Sequence, residues 1–214
     1  MKKLLTAVGL VAGIALSSAA SATIIGGTVW GGSAYGQGGE FVDLGYSPSG
    51  LTVGNNNHQD PNLYAFDEDQ NIVLDADLAI DEGGSSIAAG EQVASHYIFF
   101  DPAGGTTVTG WVDFDAEILG VITDTNKLDA SDFLINNDVT YLNPNLRGLE
   151  NNDNVFIDDS RLHVSFWASS PGDYIRVLTA YSPQANVPEP ATAALLLLGM
   201  LGMSRKWKFA TAKA

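Results

Sequence analysis

Residues 67–75 read Asp67-Glu68-Asp69-Gln70-Asn71-Ile72-Val73-Leu74-Asp75. Asp67, Asp69, Asn71 and Asp75 occupy the first, third, fifth and ninth places of a calcium loop, where alternating oxygens wrap one hard cation. The match then fails. Ile72 stands where the turn glycine belongs, and Leu78 where the bidentate glutamate belongs. The competing reading is a hairpin turn with its acids in water. A second acidic group, Asp153, Asp158 and Asp159, reads as a solvated turn. No other cofactor is expected.

The catalytic alternatives are weaker. His58, His96 and His163 stand far apart, with no His-Glu-x-x-His and no Gly-x-Ser-x-Gly elbow. A triad would have to be assembled from distant strands, and most chains hold the residues for one. With 25 acids, some carboxylate pair will fall near glycosidase spacing by chance. Gly26-Gly27 and Gly31-Gly32 do not link a strand to a helix with a following lysine, so no phosphate cradle is expected. No catalytic residue is assigned.

Aromatic side chains offer another chemistry. Trp111 alternates with Val112 and Phe114, and Trp167 with Phe166, so some of these rings should face outward. Tyr35, Tyr46 and Tyr141 lie in or near loops. Exposed rings beside amide-rich, acidic loops suit sugar binding; rings on both faces of a packed sheet would be the structural alternative.

The elements that must carry these residues are short and β-like. Residues 23–39 are glycine-rich and read as a flexible lead-in, with an early strand at 28–30. Strands are expected at 41–44, 62–66, 71–80, 92–100, 106–115, 117–122, 139–142, 154–157, 162–168 and 174–180. Turn residues separate them, most clearly Gly54-Asn55-Asn56-Asn57 and Asp101-Pro102-Ala103-Gly104-Gly105. One short helix is expected over 125–134. This pattern predicts an all-β fold over 40–182, an antiparallel β-sandwich of jelly-roll-like or Ig-like type.

Charge divides the 214 residues into three parts. Between Thr23 and Val187 lie 24 of the 25 acids but only Lys127, Arg147, Arg161 and Arg176 as bases. Such a surface repels phosphate backbones, which argues against nucleic-acid binding. The chain has no cysteine, which excludes disulfides, thiolate metal sites and cysteine nucleophiles.

The basic residues gather at the ends. Met1-Lys2-Lys3, an apolar stretch over 4–16 and Ser17-Ser18-Ala19-Ala20-Ser21-Ala22 form a signal peptide. Ala20 and Ala22 make the small-residue cleavage site, with Thr23 as the first mature residue. After a linker at 183–187 comes Val187-Pro188-Glu189-Pro190, then an apolar helix over 191–204, then Arg205 and Lys206. The apolar run over 191–203, thirteen residues, rises roughly 20 Å as a helix, short of a hydrocarbon core of about 30 Å. Lys208, Trp207 and Phe209 extend it into the interface, with the cations on the cytoplasmic side. Each proline disfavours the α region for its predecessor, so the tetrapeptide is extended.

This order of triplet, apolar run and basic cluster over 188–214 resembles the PEP-CTERM sorting signal of Gram-negative bacteria. The resemblance implies recognition by an exosortase, a membrane-embedded transpeptidase-like enzyme, after signal peptidase has acted. It implies removal of the tail, only transient contact with the membrane, and delivery to the cell surface or the exopolysaccharide matrix. Tails of this kind are also described on ice-binding proteins, but no flat, threonine-rich repeat appears in the middle. The resulting expectation is a non-enzymatic, secreted structural or adhesive component of a biofilm matrix. The alternatives are a carbohydrate-binding module, calcium-assisted, and a hydrolase whose site the sequence does not display.

Overall fold

The computed structural model describes residues 23–46 and 48–181. The signal peptide with Ala20 and Ala22, the linker, and the sorting segment with Val187, Pro188, Glu189, Pro190, Arg205 and Lys206 lie outside the described residues. No described helix is long and apolar enough to cross a membrane.

The described chain is mostly strands in several sheets, with two short helices. In order it runs β1 (Ile24–Gly31), α1 (Gly32–Gly36), β2 (Phe41–Asp43), β3 (Thr52–Val53), β4 (Leu63–Asp67), β5 (Ile72–Val73), β6 (Leu78–Ala79) and β7 (Ser86–Ile87). It continues through β8 (Gln92–Phe100), β9 (Thr106–Phe114), β10 (Ile118–Ile122), α2 (Thr125–Ala130), β11 (Thr140–Tyr141), β12 (Asn154–Asp158), β13 (Arg161–Ala168) and β14 (Asp173–Ala180).

One sheet has the order β1-β9-β13-β12, the other β10-β14-β8-β4-β2, with β5 also on β8. The pairing is antiparallel except for β2 with β4 and β3 with β11, which are parallel. The two sheets differ in burial for a reason visible in their residues. β9 alternates buried and half-buried, with Val108, Val112 and Phe114 inward and Thr107, Trp111 and Asp113 outward. That is the pattern of a sheet with one wet face. β4, β8 and β14 are buried almost throughout, so the larger sheet is covered on both faces.

A first core joins Ile98, Phe100 and Val177 of the larger sheet to Val112, Phe114, Leu162 and Phe166 of the smaller one. A second core, with Phe66, Tyr97, Phe99 and Leu178, lies on the opposite side under β3, β6, β7 and α2.

The glycine-rich lead-in departs from expectation. Residues 24–31 form an eight-residue strand along β9, and α1 follows it. Gly110 makes this possible, because a Cβ there would stand 2.3 Å from the Thr28 carbonyl oxygen. The lead-in is therefore part of the sheet that the 40–182 boundary would have cut. The long strand expected at 71–80 is instead two short ones, β5 and β6. Asn71 takes a positive φ of 62°, and the Leu74 amide turns to the Glu91 carbonyl at 2.9 Å. The expected helix is present as α2 followed by a 3-10 turn, Asp132–Leu134. The Asp124 carboxylate caps α2, accepting from Asn126 N and Lys127 N at 2.9 and 3.1 Å.

Candidate functional site

The acids of the proposed calcium loop point in different directions. Asp67 ends β4 and is buried. Its carboxylate holds His96 Nδ1 at 2.6 Å, accepts the Thr23 hydroxyl at 2.8 Å and the Ile24 amide at 3.3 Å. The Asp69 carboxyl is pushed up by burial and by its neighbour Glu68. Asp75 is exposed at the margin of an apolar groove lined by Ile72, Leu78, Ala130 and Phe133. Asn71 lies between β4 and β5 with its own partners. The one cluster of three potential metal-holding acids among the described residues lies elsewhere.

The distant-strand triad does form in outline. His96 on β8 bonds Asp67 through Nδ1 and Thr179 Oγ1 on β14 through Nε2, the latter at 3.0 Å. Adjacent strands bring these side chains together: Asp67 and Thr179 lie on either side of β8, with His96 between them. Yet His96 and Thr179 are fully buried, and the Phe114 ring sits 4.8 Å from the imidazole. A scissile carbonyl cannot reach a hydroxyl with no exposed surface, so this geometry serves packing. It satisfies polar groups that would otherwise be orphaned in the core.

A second buried network surrounds Arg176 on β14. Its guanidinium grips Glu68 through Nε and Nη2 at 2.6 and 2.9 Å, and both residues are fully buried. It also donates to Ser131 Oγ at 2.5 Å, the Leu128 carbonyl at 3.2 Å and Asp132 at 3.3 Å. Glu68 accepts from Ser95 Oγ and Tyr141 OH at 2.6 and 2.7 Å. Burial alone would lower the guanidinium's proton affinity; the Glu68 charge outweighs it, and the net shift is upward.

The surface with recognisable binding chemistry is the outer face of the smaller sheet. Strand register lines up Phe156 of β12, His163 of β13, Trp111 of β9 and Thr28 of β1. Their inward neighbours Val155, Val164 and Val112 are buried, so alternation forces the rings outward. The Phe156 and Trp111 rings lie 5.9 and 6.4 Å from His163. Phe156 is 64% exposed.

Arg161 stacks 4.9 Å over the Trp111 ring while holding Asp113 through two bonds, at 2.5 and 2.8 Å. This fixes the indole, with the guanidinium over one of its faces. One residue pair further along stand Asn154, Ser165 and Thr109; Trp167 is exposed beyond them, and Trp30 and Tyr35 project from β1 and α1. A twisted ledge of rings interleaved with hydroxyl, amide and charged groups can stack on sugar faces and bond their hydroxyls.

Sequence reading placed Trp111 opposite Val112 and required one of Phe166 and Trp167 to face out. Trp167 does, and Phe166 enters the first core. It missed Phe156 and His163 as their neighbours, because pairing partners across a sheet are set by register and not by proximity in the chain.

The second acidic group, expected as one solvated turn, is divided by β12. Asp158 ends that five-residue strand and Asp159 follows it, about 17 Å along an extended strand from Asp153. Asp153 instead approaches Glu150 and Asp173. Burial, then repulsion by Asp153 and Glu150, pushes the Asp173 carboxyl up to about 8. Of the other charged groups near the start of β14, Asp101 accepts the Asn57 and His58 amides through Oδ2, and Arg147 holds Asp132 through both terminal nitrogens.

A folded-state value above the unfolded one means that the folded chain keeps a proton the unfolded chain releases. In metal-free buffer, the Asp173 contribution to stability is full below about pH 4 and lost as pH rises towards about 8. Asp173→Asn is therefore expected to gain on the parent protein between about pH 5 and about pH 9, read as urea midpoints. Parallel profiles would contradict the assignment.

No family model, curated protein or solved structure matches this chain.

Proposed function

We propose that the chain is an exported, non-enzymatic protein sorted through a PEP-CTERM signal to the cell surface or exopolysaccharide matrix. Its central domain is a β-sandwich that acts there as a structural or adhesive component. The observation that carries this reading is the sequence of the tail: Val187-Pro188-Glu189-Pro190, an apolar run too short for a durable span, then Arg205 and Lys206. Signal peptidase and an exosortase are the processing partners, and membrane contact ends with processing. The sandwich reading is supported by a first core drawn from both main sheets.

The cleavage site before Thr23 gains support from that residue's surroundings. The Thr23 backbone nitrogen lies 2.8 Å from Asp115 Oδ1. Cleavage after Ala22 would turn this amide into an ammonium already facing a carboxylate.

The outward-facing row of exposed Phe156 with half-buried His163 and Trp111 favours sugar contact as the adhesive mode. Affinity electrophoresis in gels containing the host's exopolysaccharide tests it. The parent protein is expected to be retarded. Trp111→Ala, at unchanged melting temperature, is expected to bind about tenfold more weakly or worse, as for a central aromatic anchor. Equal mobility with and without polysaccharide would sink the sugar reading while leaving the sorting reading standing.

A further inference from the structure

We propose that Glu150, Asp153 and Asp173 form a binding site for one calcium ion. One carboxylate oxygen from each lies within 4.8 Å of the other two. Oxygens bound to a common calcium ion at 2.3–2.6 Å stand no more than about 5 Å apart, so a single ion can touch all three. The donor set is oxygen only, which suits calcium or magnesium and not zinc or copper.

Acidic clusters often lie on surfaces without an ion. Here a separate observation points to one. Asp173 is 2% exposed, and its Oδ2 has no hydrogen-bond partner. A buried, unpartnered carboxylate oxygen beside two further acids calls for positive charge. The protein supplies none: among the described residues, no lysine, arginine or histidine pairs with any of the three acids. Arg147, close by in sequence, gives both terminal guanidinium nitrogens to Asp132, at 2.9 and 2.7 Å. A proton on Asp173 would neutralise one acid; a divalent ion engages all three.

The chain also orients the ligands. Asp153 Oδ2 accepts the Glu150 amide at 2.9 Å and Oδ1 accepts the Trp167 amide at 2.6 Å, leaving further lone pairs for an ion. Gly172, with φ of 100°, passes so close to the Phe100 carbonyl that a Cβ would stand 2.8 Å from it, and it delivers Asp173 to the start of β14. Glu150 is exposed and gives the ion an entry route. Glu150 and Asp153 lead into β12 at the edge of the smaller sheet, whereas Asp173 belongs to the larger one. A bound ion would tie that edge to the other sheet. The inference is independent of the sorting signal and of sugar binding.

The test uses the purified protein, stripped with a chelator and then given calcium, magnesium or terbium. Calcium at about 1 mM is expected to raise the melting temperature, and magnesium to raise it less. Terbium is expected to luminesce on tryptophan excitation, through the adjacent Trp167, and to be displaced by calcium. Asp173→Asn should melt no lower than the parent in chelator yet lose both responses. Glu150→Gln, an exposed change that spares folding, should weaken terbium binding by about tenfold or more. Asp75→Asn should keep both responses. No calcium shift in the parent protein, or a full shift in Glu150→Gln, would overturn the proposal.

Discussion

Arg176→Met is expected to cost about 3–5 kcal/mol of folding stability, the usual penalty for stranding one half of a buried ion pair. The loss arises because Glu68 is fully buried and would be left with only Ser95 and Tyr141 as side-chain donors. The Ser131 hydroxyl would lose its donor as well, while the Leu128 carbonyl would keep the Ser131 amide and hydroxyl. Against a typical total of about 5–15 kcal/mol, this is a large share.

The double variant Glu68→Leu/Arg176→Met removes both charges and should recover much of the loss, since a buried pair costs its own desolvation. Urea unfolding of the two single variants and the double one closes the cycle. Near-additive losses would show that Glu68 and Arg176 act independently, contrary to the geometry. The network joins β4, β8 and β14 to the end of α2 and to Tyr141 of β11, so its failure should loosen the second core first.

Replacing Pro188, Glu189 and Pro190 together by alanine is expected to abolish tail processing and surface delivery, leaving the folded domain intact. Each proline disfavours the α region for its predecessor, so the sequence predicts an extended grip for an enzyme; alanine removes that restriction and would let the expected apolar helix extend backwards through the triplet. Glu189→Gln alone separates charge from shape, because both prolines remain. Immunoblots of membrane, surface and medium fractions read the outcome: the triple variant should accumulate as a longer, membrane-held form. Normal processing of that variant would mean that the triplet is not the recognised element. Trp111→Ala should be sorted normally, since its change lies in the domain and not in the tail.

The long central strands were legible in the sequence because their alternation or continuous apolarity is strong. β8 occupies the expected 92–100, and β9, β12, β13 and β14 fall within a residue of expectation at each end. Less was legible where local signals conflict. Glycines at 26, 27, 31 and 32 suggested flexibility, but pairing with β9 and the close approach at Gly110 hold residues 24–31 as a strand, with register shifts at 24–26 and 29–31. The acids at 67–75 carry a calcium-like spacing, yet Asp67 belongs to a strand and turns inward to His96. Local spacing cannot reveal that, because the partner lies on another strand.

The reverse holds for Glu150, Asp153 and Asp173. Nothing in their sequence spacing suggests a site, and only the meeting of the turn before β12 with the start of β14 creates one. The turn signal Asn151-Asn152-Asp153 is visible in the sequence. Its juxtaposition with the start of β14 depends on sheet order, which one sequence does not display. The outer aromatic row was half legible for the same reason: alternation shows which way Trp111 points, while register decides that His163 and Phe156 lie beside it.

The central claim concerns the ends, and intact-mass spectrometry of the mature protein from its host tests it most directly. The account predicts a chain that begins at Thr23 and lacks the residues beyond Pro190. A chain still ending at Ala214, in cells with an active exosortase, would contradict it.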